Sequence, residues 1–113
     1  MCTDQEYNII IDRIAKAYRA VYGAQLDRVL VYGSYARGDY DDFSDIDLVA
    51  IVRGNRSELQ ESLKKVWDVS SDLELEYETI VSPTVIPYDE FEQYRDDLPY
   101  YRNIANEGVR INA

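Results

Sequence analysis

The sequence predicts an α/β (α+β) fold, a small mixed β-sheet flanked by helices. Three observations point there. Helix-like and strand-like apolar patterns alternate along the 113 residues. The strand-like runs are short, and beyond its aspartates the run from Ile46 to Val52 is apolar on both faces, as a buried central strand must be. At 46% hydrophobic the chain holds enough apolar material for one core, and its length suits a single domain, residues 1–113.

Each element has its own warrant. Thr3 is placed to cap a first helix, with Glu6 where the return bond of a capping box originates. Tyr7, Ile10, Ile11, Ile14, Tyr18, Val21 and Tyr22 then recur at helical spacing, and Gly23 fits the stop. Arg28 to Tyr32 is a short β-rich run ending at Gly33-Ser34, and residues 36 to 43 are polar and turn-like. Ile46 to Val52 makes the second strand. After the break at Gly54-Asn55, Ser57 and Gln60 offer another capping box, and Leu59, Leu63, Val66 and Trp67 form the inner face of a second helix. That helix ends between Val69 and Tyr77. A third strand runs from Thr79 to Ile86, and Pro83 inside it marks an edge or bulge. Two short helices, Tyr88 to Arg95 and Pro99 to Glu107, follow, the latter closed by Gly108 ahead of a short strand from Val109 to Ile111.

Composition excludes several kinds of chemistry. There is no histidine, which removes Ser-His-Asp and Cys-His catalysis, histidine zinc sites and imidazole bases. One cysteine, Cys2, rules out an internal disulfide. Twelve basic against twenty-two acidic side chains give a net charge of −10, the reverse of a nucleic-acid binder's balance. Direct nucleic-acid binding is therefore not expected. The charge favours solubility and suits a basic protein partner. The eleven tyrosines exceed the needs of a small core, and some are available for a contact surface. No apolar run approaches the ~20 residues needed to span a bilayer. The N-terminus lacks signal-peptide features, so the expected place is the cytoplasm, with no membrane.

The chemical information is concentrated between Gly33 and Leu48. Gly33-Ser34-Tyr35-Ala36-Arg37-Gly38 is a small-residue turn suited to close contact with phosphate, and Ser44-Asp45-Ile46-Asp47-Leu48 follows it after five residues. On an extended strand Asp45 and Asp47 project to one side. Such a pair of hard oxygen ligands suits Mg²⁺, which keeps several waters and binds substrate phosphates as well. Turn and pair together suggest phosphoryl or nucleotidyl chemistry. Arg37, the nearest cation, either helps hold a triphosphate or forms a salt bridge with Asp39, Asp41 or Asp42. Ser44 reads as a brace for the turn.

These segments resemble the signature of the minimal nucleotidyltransferases of the DNA polymerase β-like superfamily, Gly-Ser followed by Asp-x-Asp on a strand. The resemblance spans essentially the whole chain, including the helix before the first strand and the Glu107-Gly108-Val109 ending. It implies two Mg²⁺ ions held by Asp45 and Asp47, with ATP as substrate. Gly33 would let the backbone approach the triphosphate, and Ser34 would donate its N–H and hydroxyl to the phosphates. It also implies a third carboxylate on the later strand, but that position falls near Ser82. Glu78 would share a strand face with Ser82 if the strand is regular, and is preferred over Glu76 as the replacement. Stand-alone domains of this kind are paired with HEPN-type ribonuclease toxins, which they neutralise as antitoxins. The expected function is Mg²⁺-dependent transfer of AMP from ATP to a hydroxyl of such a partner. The alternatives are a steric, nucleotide-binding antitoxin and a small-molecule nucleotidyltransferase.

Overall fold

The computed structural model describes residues 3–41 and 45–111, and of Ser34 the backbone alone. The readings of Cys2, Asp42 and Ser44, and of the Ser34 hydroxyl, therefore lie outside what is described. Helix α1 (Asp4–Tyr22) opens with the expected capping box: the Glu6 N–H donates to the Thr3 hydroxyl at 3.1 Å, and the Thr3 N–H donates to the Glu6 carboxylate at 2.9 Å. A 3₁₀ turn (Gly23–Gln25) leads into β1 (Leu26–Tyr32). Next come a one-turn helix α2 (Ser34–Arg37), β2 (Ile46–Val52) and α3 (Arg56–Tyr77). The chain continues through β3 (Val81–Pro87), α4 (Tyr88–Tyr94), α5 (Pro99–Glu107) and β4 (Val109–Ile111).

The sheet is mixed, in the order β3-β2-β1-β4. β2 and β3 run parallel, as the intervening helix α3 requires, and β1 is antiparallel to both β2 and β4. Alternation along β2 divides the core in two. Ile46, Leu48, Ala50 and Val52 face α1 and α3, where they pack with Ile14, Tyr18, Leu63 and Val66. Val49 and Ile51 face α4 and α5, against Phe91, Tyr101 and Ile104. This double coverage explains the nearly uninterrupted apolar character of β2.

Three local expectations change. The polar stretch after Gly33 begins with the turn of helix α2, whose Arg37 N–H donates to the Gly33 carbonyl at 3.1 Å. Helix α3 is capped by Asn55 rather than Ser57, because the Asn55 side chain accepts the N–H groups of both Ser57 and Glu58. Trp67 leaves the inner face, where Val66, Ser70 and Leu73 are buried, and stands 44% exposed. Its indole N–H donates to the Pro83 carbonyl at 3.0 Å. Pro83 lies on β3 at the sheet edge, the location its missing N–H predicted.

Candidate active site

The site forms where β1 ends and β2 begins. Tyr32 pairs with Asp47 across the antiparallel ladder, and Asp47 pairs with Ser82 across the parallel one. Tyr32, Asp47 and Ser82 thus make one rung across three strands, with side chains on a common face. Asp45 stands just before β2, whose pairing starts with the Ile46 N–H donating to the Ile80 carbonyl at 2.9 Å.

Gly33 is fixed by two constraints. Its φ of +78° belongs to the left-handed region, which glycine adopts without penalty. A Cβ at this position would lie 2.7 Å from Asp47 Oδ2. The turn backbone and the aspartate carboxylate therefore touch, and any side chain at Gly33 would displace the carboxylate. Burial raises the Asp47 pKa above its ordinary value, and the neighbouring charge of Asp45 raises it further. Two anionic groups this close in a half-buried setting are what a bound cation would relieve. Mg²⁺ is commonly held by one or two protein carboxylates together with water and phosphate oxygens, and this donor set fits that pattern.

Helix α2, which carries the start of the turn, is anchored by a feature that sequence reading missed. The Tyr35 ring stacks on Tyr7 of α1 with centroids 5.0 Å apart and on Tyr40 at 4.3 Å, both pairs nearly parallel. The only signal in the sequence was the surplus of tyrosine. Tyr32, the strand partner of Asp47, and Tyr100 were missed too: their hydroxyls meet at 3.0 Å.

Arg37 takes the salt-bridge option. It lies 3.1 Å from Asp39 and 3.4 Å from Glu107, and its side chain is 45% exposed. Glu107 links the end of α5 to α2, a connection only the folded chain reveals. The strand face expected to join Glu78 to Ser82 does not exist. Glu78 is the left-handed cap of α3, with φ 51° and ψ 46°, and β3 begins only at Val81. Glu76 pairs with Arg13 at 3.1 Å on the surface. Among the described residues no third acidic side chain joins Asp45 and Asp47 in a metal-binding group. Ser82 occupies the adjoining strand position.

Comparison with known proteins agrees with this geometry. The profile of the nucleotidyltransferase domain matches residues 11–111. A candidate protein adenylyltransferase of Methanocaldococcus jannaschii, MJ0141, is 37% identical over 76 residues, covering 67% of this chain and 75% of the relative. A second from the same organism, MJ0604, is 26% identical over 98 residues, covering 87% of this chain and 90% of the relative. Among solved structures, a toxin–antitoxin complex with AMP-PNP superposes with a TM-score of 0.54 at 17% identity, over 88% of this chain and 69% of that one. A mutant MntA-HpeT toxin–antitoxin pair gives 0.53 at 16% identity, over 91% and 72%. At such identities these structures speak for the fold. With the profile covering nearly all of the chain and the Gly33–Asp47 contact in place, the protein belongs to the nucleotidyltransferase domain family and is a nucleotidyltransferase.

Proposed function

We propose that the chain transfers AMP from ATP to a hydroxyl of a protein partner, with Mg²⁺ as cofactor, and that the partner is a HEPN-type ribonuclease toxin which it neutralises. The observation that carries the reading is the contact of the Gly33 turn with Asp47, with Asp45 alongside. It supports a phosphate seat and a metal seat at one point. Asp45 and Asp47 hold the ion, and Gly33 admits the triphosphate to the backbone. Ser34 supplies the N–H that begins α2. Arg37 would reach the phosphates on leaving Asp39. Bound Mg²⁺ supplies charge neutralisation on the transferring phosphoryl group. The protein's share is positioning: the Tyr7–Tyr35–Tyr40 stack fixes α2, and the β1–β2 ladder fixes the aspartate.

A protein acceptor is supported by the relatives described as protein adenylyltransferases and by the toxin–antitoxin neighbours. The net charge of −10 suits a basic partner. One observation favours a second reading, an antitoxin that binds nucleotide and blocks its toxin sterically: the strand partner of Asp47 on β3 is a serine, not a carboxylate.

Intact-mass analysis of the partner after incubation with Mg²⁺ and ATP separates the two. The expected outcome is a gain in AMP steps that disappears with Asp47→Asn. A stable, neutralised complex with no mass gain sinks the transfer reading and leaves the steric one.

A further inference from the structure

A second cluster of charge lies at the far end of β1. Asp47 pairs with Tyr32, the last residue of that strand, whereas Leu26, its first, pairs with Val52. At ~3.3 Å per residue the two ends are roughly 20 Å apart. A cleft of about 230 Å³ opens beside Leu26, Asp27, Arg28 and Val29 and is flanked by Arg19, Gly23, Arg110 and Ile111. Among the described residues β4 pairs with Val29, Leu30 and Val31 of β1, and the cleft lies beside the earlier residues of that strand.

The cleft gathers cations that the rest of the molecule does not use. Among the described residues, eight of the twelve basic side chains hold a carboxylate partner. Arg19, Lys65, Arg102 and Arg110 hold none, and two of these four line this one cleft. Arg28, a third guanidinium in its wall, is held by Asp27 at 2.6 Å and Glu92 at 3.6 Å. The Asp27 carboxylate is itself divided between Arg28 and Arg53, the latter at 3.1 Å. Burial opposes its charge, but the two guanidiniums outweigh burial and hold its pKa below the ordinary value. Asp27 is thus offset, while Arg19 and Arg110 have no carboxylate partner among the described residues. In a chain with a net charge of −10, two uncompensated guanidiniums on one concavity stand out against the surrounding field.

The chemistry of the walls limits the ligand. Guanidinium forks match the oxygens of a phosphoryl anion, with two parallel N–H donors each. None of the residues that line the cleft is aromatic, so a base would find no ring to stack on. The volume is below the ~300–1,000 Å³ of pockets for drug-sized molecules. We infer that this cleft is a binding site for a small inorganic phosphoryl anion, phosphate in its simplest form, separate from the carboxylate pair and held by Arg19 and Arg110 with Arg28 behind them.

The test is a titration of the ¹⁵N-labelled chain with inorganic phosphate, followed at the arginine Nε–Hε resonances. EDTA is present and ionic strength is held constant with chloride. Saturable shifts confined to Arg19, Arg28 and Arg110 are expected, with affinity at least tenfold weaker in the Arg19→Gln/Arg110→Gln variant. Asp45→Asn/Asp47→Asn should leave the affinity within twofold of wild type, which makes the result independent of nucleotidyl transfer. AMP at equal concentration should shift these resonances less. Shifts that grow linearly, that spread over all arginines, or that vanish in the aspartate variant would overturn the assignment. So would tighter binding of AMP than of phosphate at Arg19 and Arg110. The wild-type resonances locate the anion by themselves, so a variant that fails to fold does not remove the test.

Discussion

Gly33 and Asp47 are separated along the chain but touch in space, and each constrains the other. Gly33→Ala places a methyl group where the Asp47 carboxylate lies and forces alanine to a φ of +78°. The backbone strain alone costs about 1–3 kcal/mol. The expected result is a lower melting temperature and, in the protein that remains folded, at least a tenfold loss of Mg²⁺-dependent ATP binding by calorimetry. Unchanged affinity would mean that the turn does not seat the phosphates. Ser82 allows a prediction of the opposite sign. Ser82→Asp adds a carboxylate at the partner position of Asp47. It should raise Mg²⁺ affinity about tenfold, worth about 1.4 kcal/mol. Without metal it should lower stability, because three like charges then share a half-buried site. A variant whose metal affinity stays flat would place Ser82 outside the metal's reach. The sequence made Gly33, Asp45 and Asp47 legible because residue type and spacing are local properties. It did not reveal the Tyr7–Tyr35–Tyr40 stack, whose members come from α1, α2 and the loop beyond. Glu78 misled for a related reason. Glutamate rarely adopts the left-handed conformation, so nothing in its identity announced a helix cap in place of a strand.

At the scale of elements, α1 and α3 are tied together by one buried phenol. Tyr22 at the end of α1 donates to the Leu59 carbonyl in the first turns of α3 at 2.8 Å. Burial pushes its pKa from 10.0 up to about 12. The unfolded phenol ionises first, so the contribution of Tyr22 is complete below pH 10 and is lost as pH rises from 10 to about 12. Circular dichroism should show stability falling through that window. Tyr22→Phe should cost about 1 kcal/mol at neutral pH, the worth of one hydrogen bond. It should also flatten the alkaline slope in part, since burial raises Tyr18 and Tyr32 as well. An unchanged slope would remove Tyr22 as the titrating group. Most elements were legible from the chain, and β2, α5 and β4 fall within the expected limits. The boundary of α3 was harder, because Asn55 and Ser57 are both good caps and only the fold selects between them.

Across the whole molecule, charge sets the balance. With twenty-two acidic and twelve basic side chains, the folded chain repels itself at low ionic strength. Salt also weakens the surface ion pairs, but each of those is worth only about 0–1 kcal/mol. The acidic excess should win. Raising NaCl from ~10 mM to ~500 mM should add about 1 kcal/mol, or roughly 4 °C in melting temperature for a domain of this size. A melting temperature that falls with salt would show that ion pairs outweigh the repulsion.

The outer strand β3 has a consequence at high protein concentration. It carries two prolines, Pro83 and Pro87, and at Pro83 the carbonyl is already taken by the Trp67 indole. Sheet edges are where chains recruit one another into fibrils, because a free row of donors and acceptors is a template for the next strand. At Pro83 that row offers neither a donor nor an idle acceptor. Addition of a further strand is disfavoured at this point of the border by Pro83 and by Trp67, which lies outside the core.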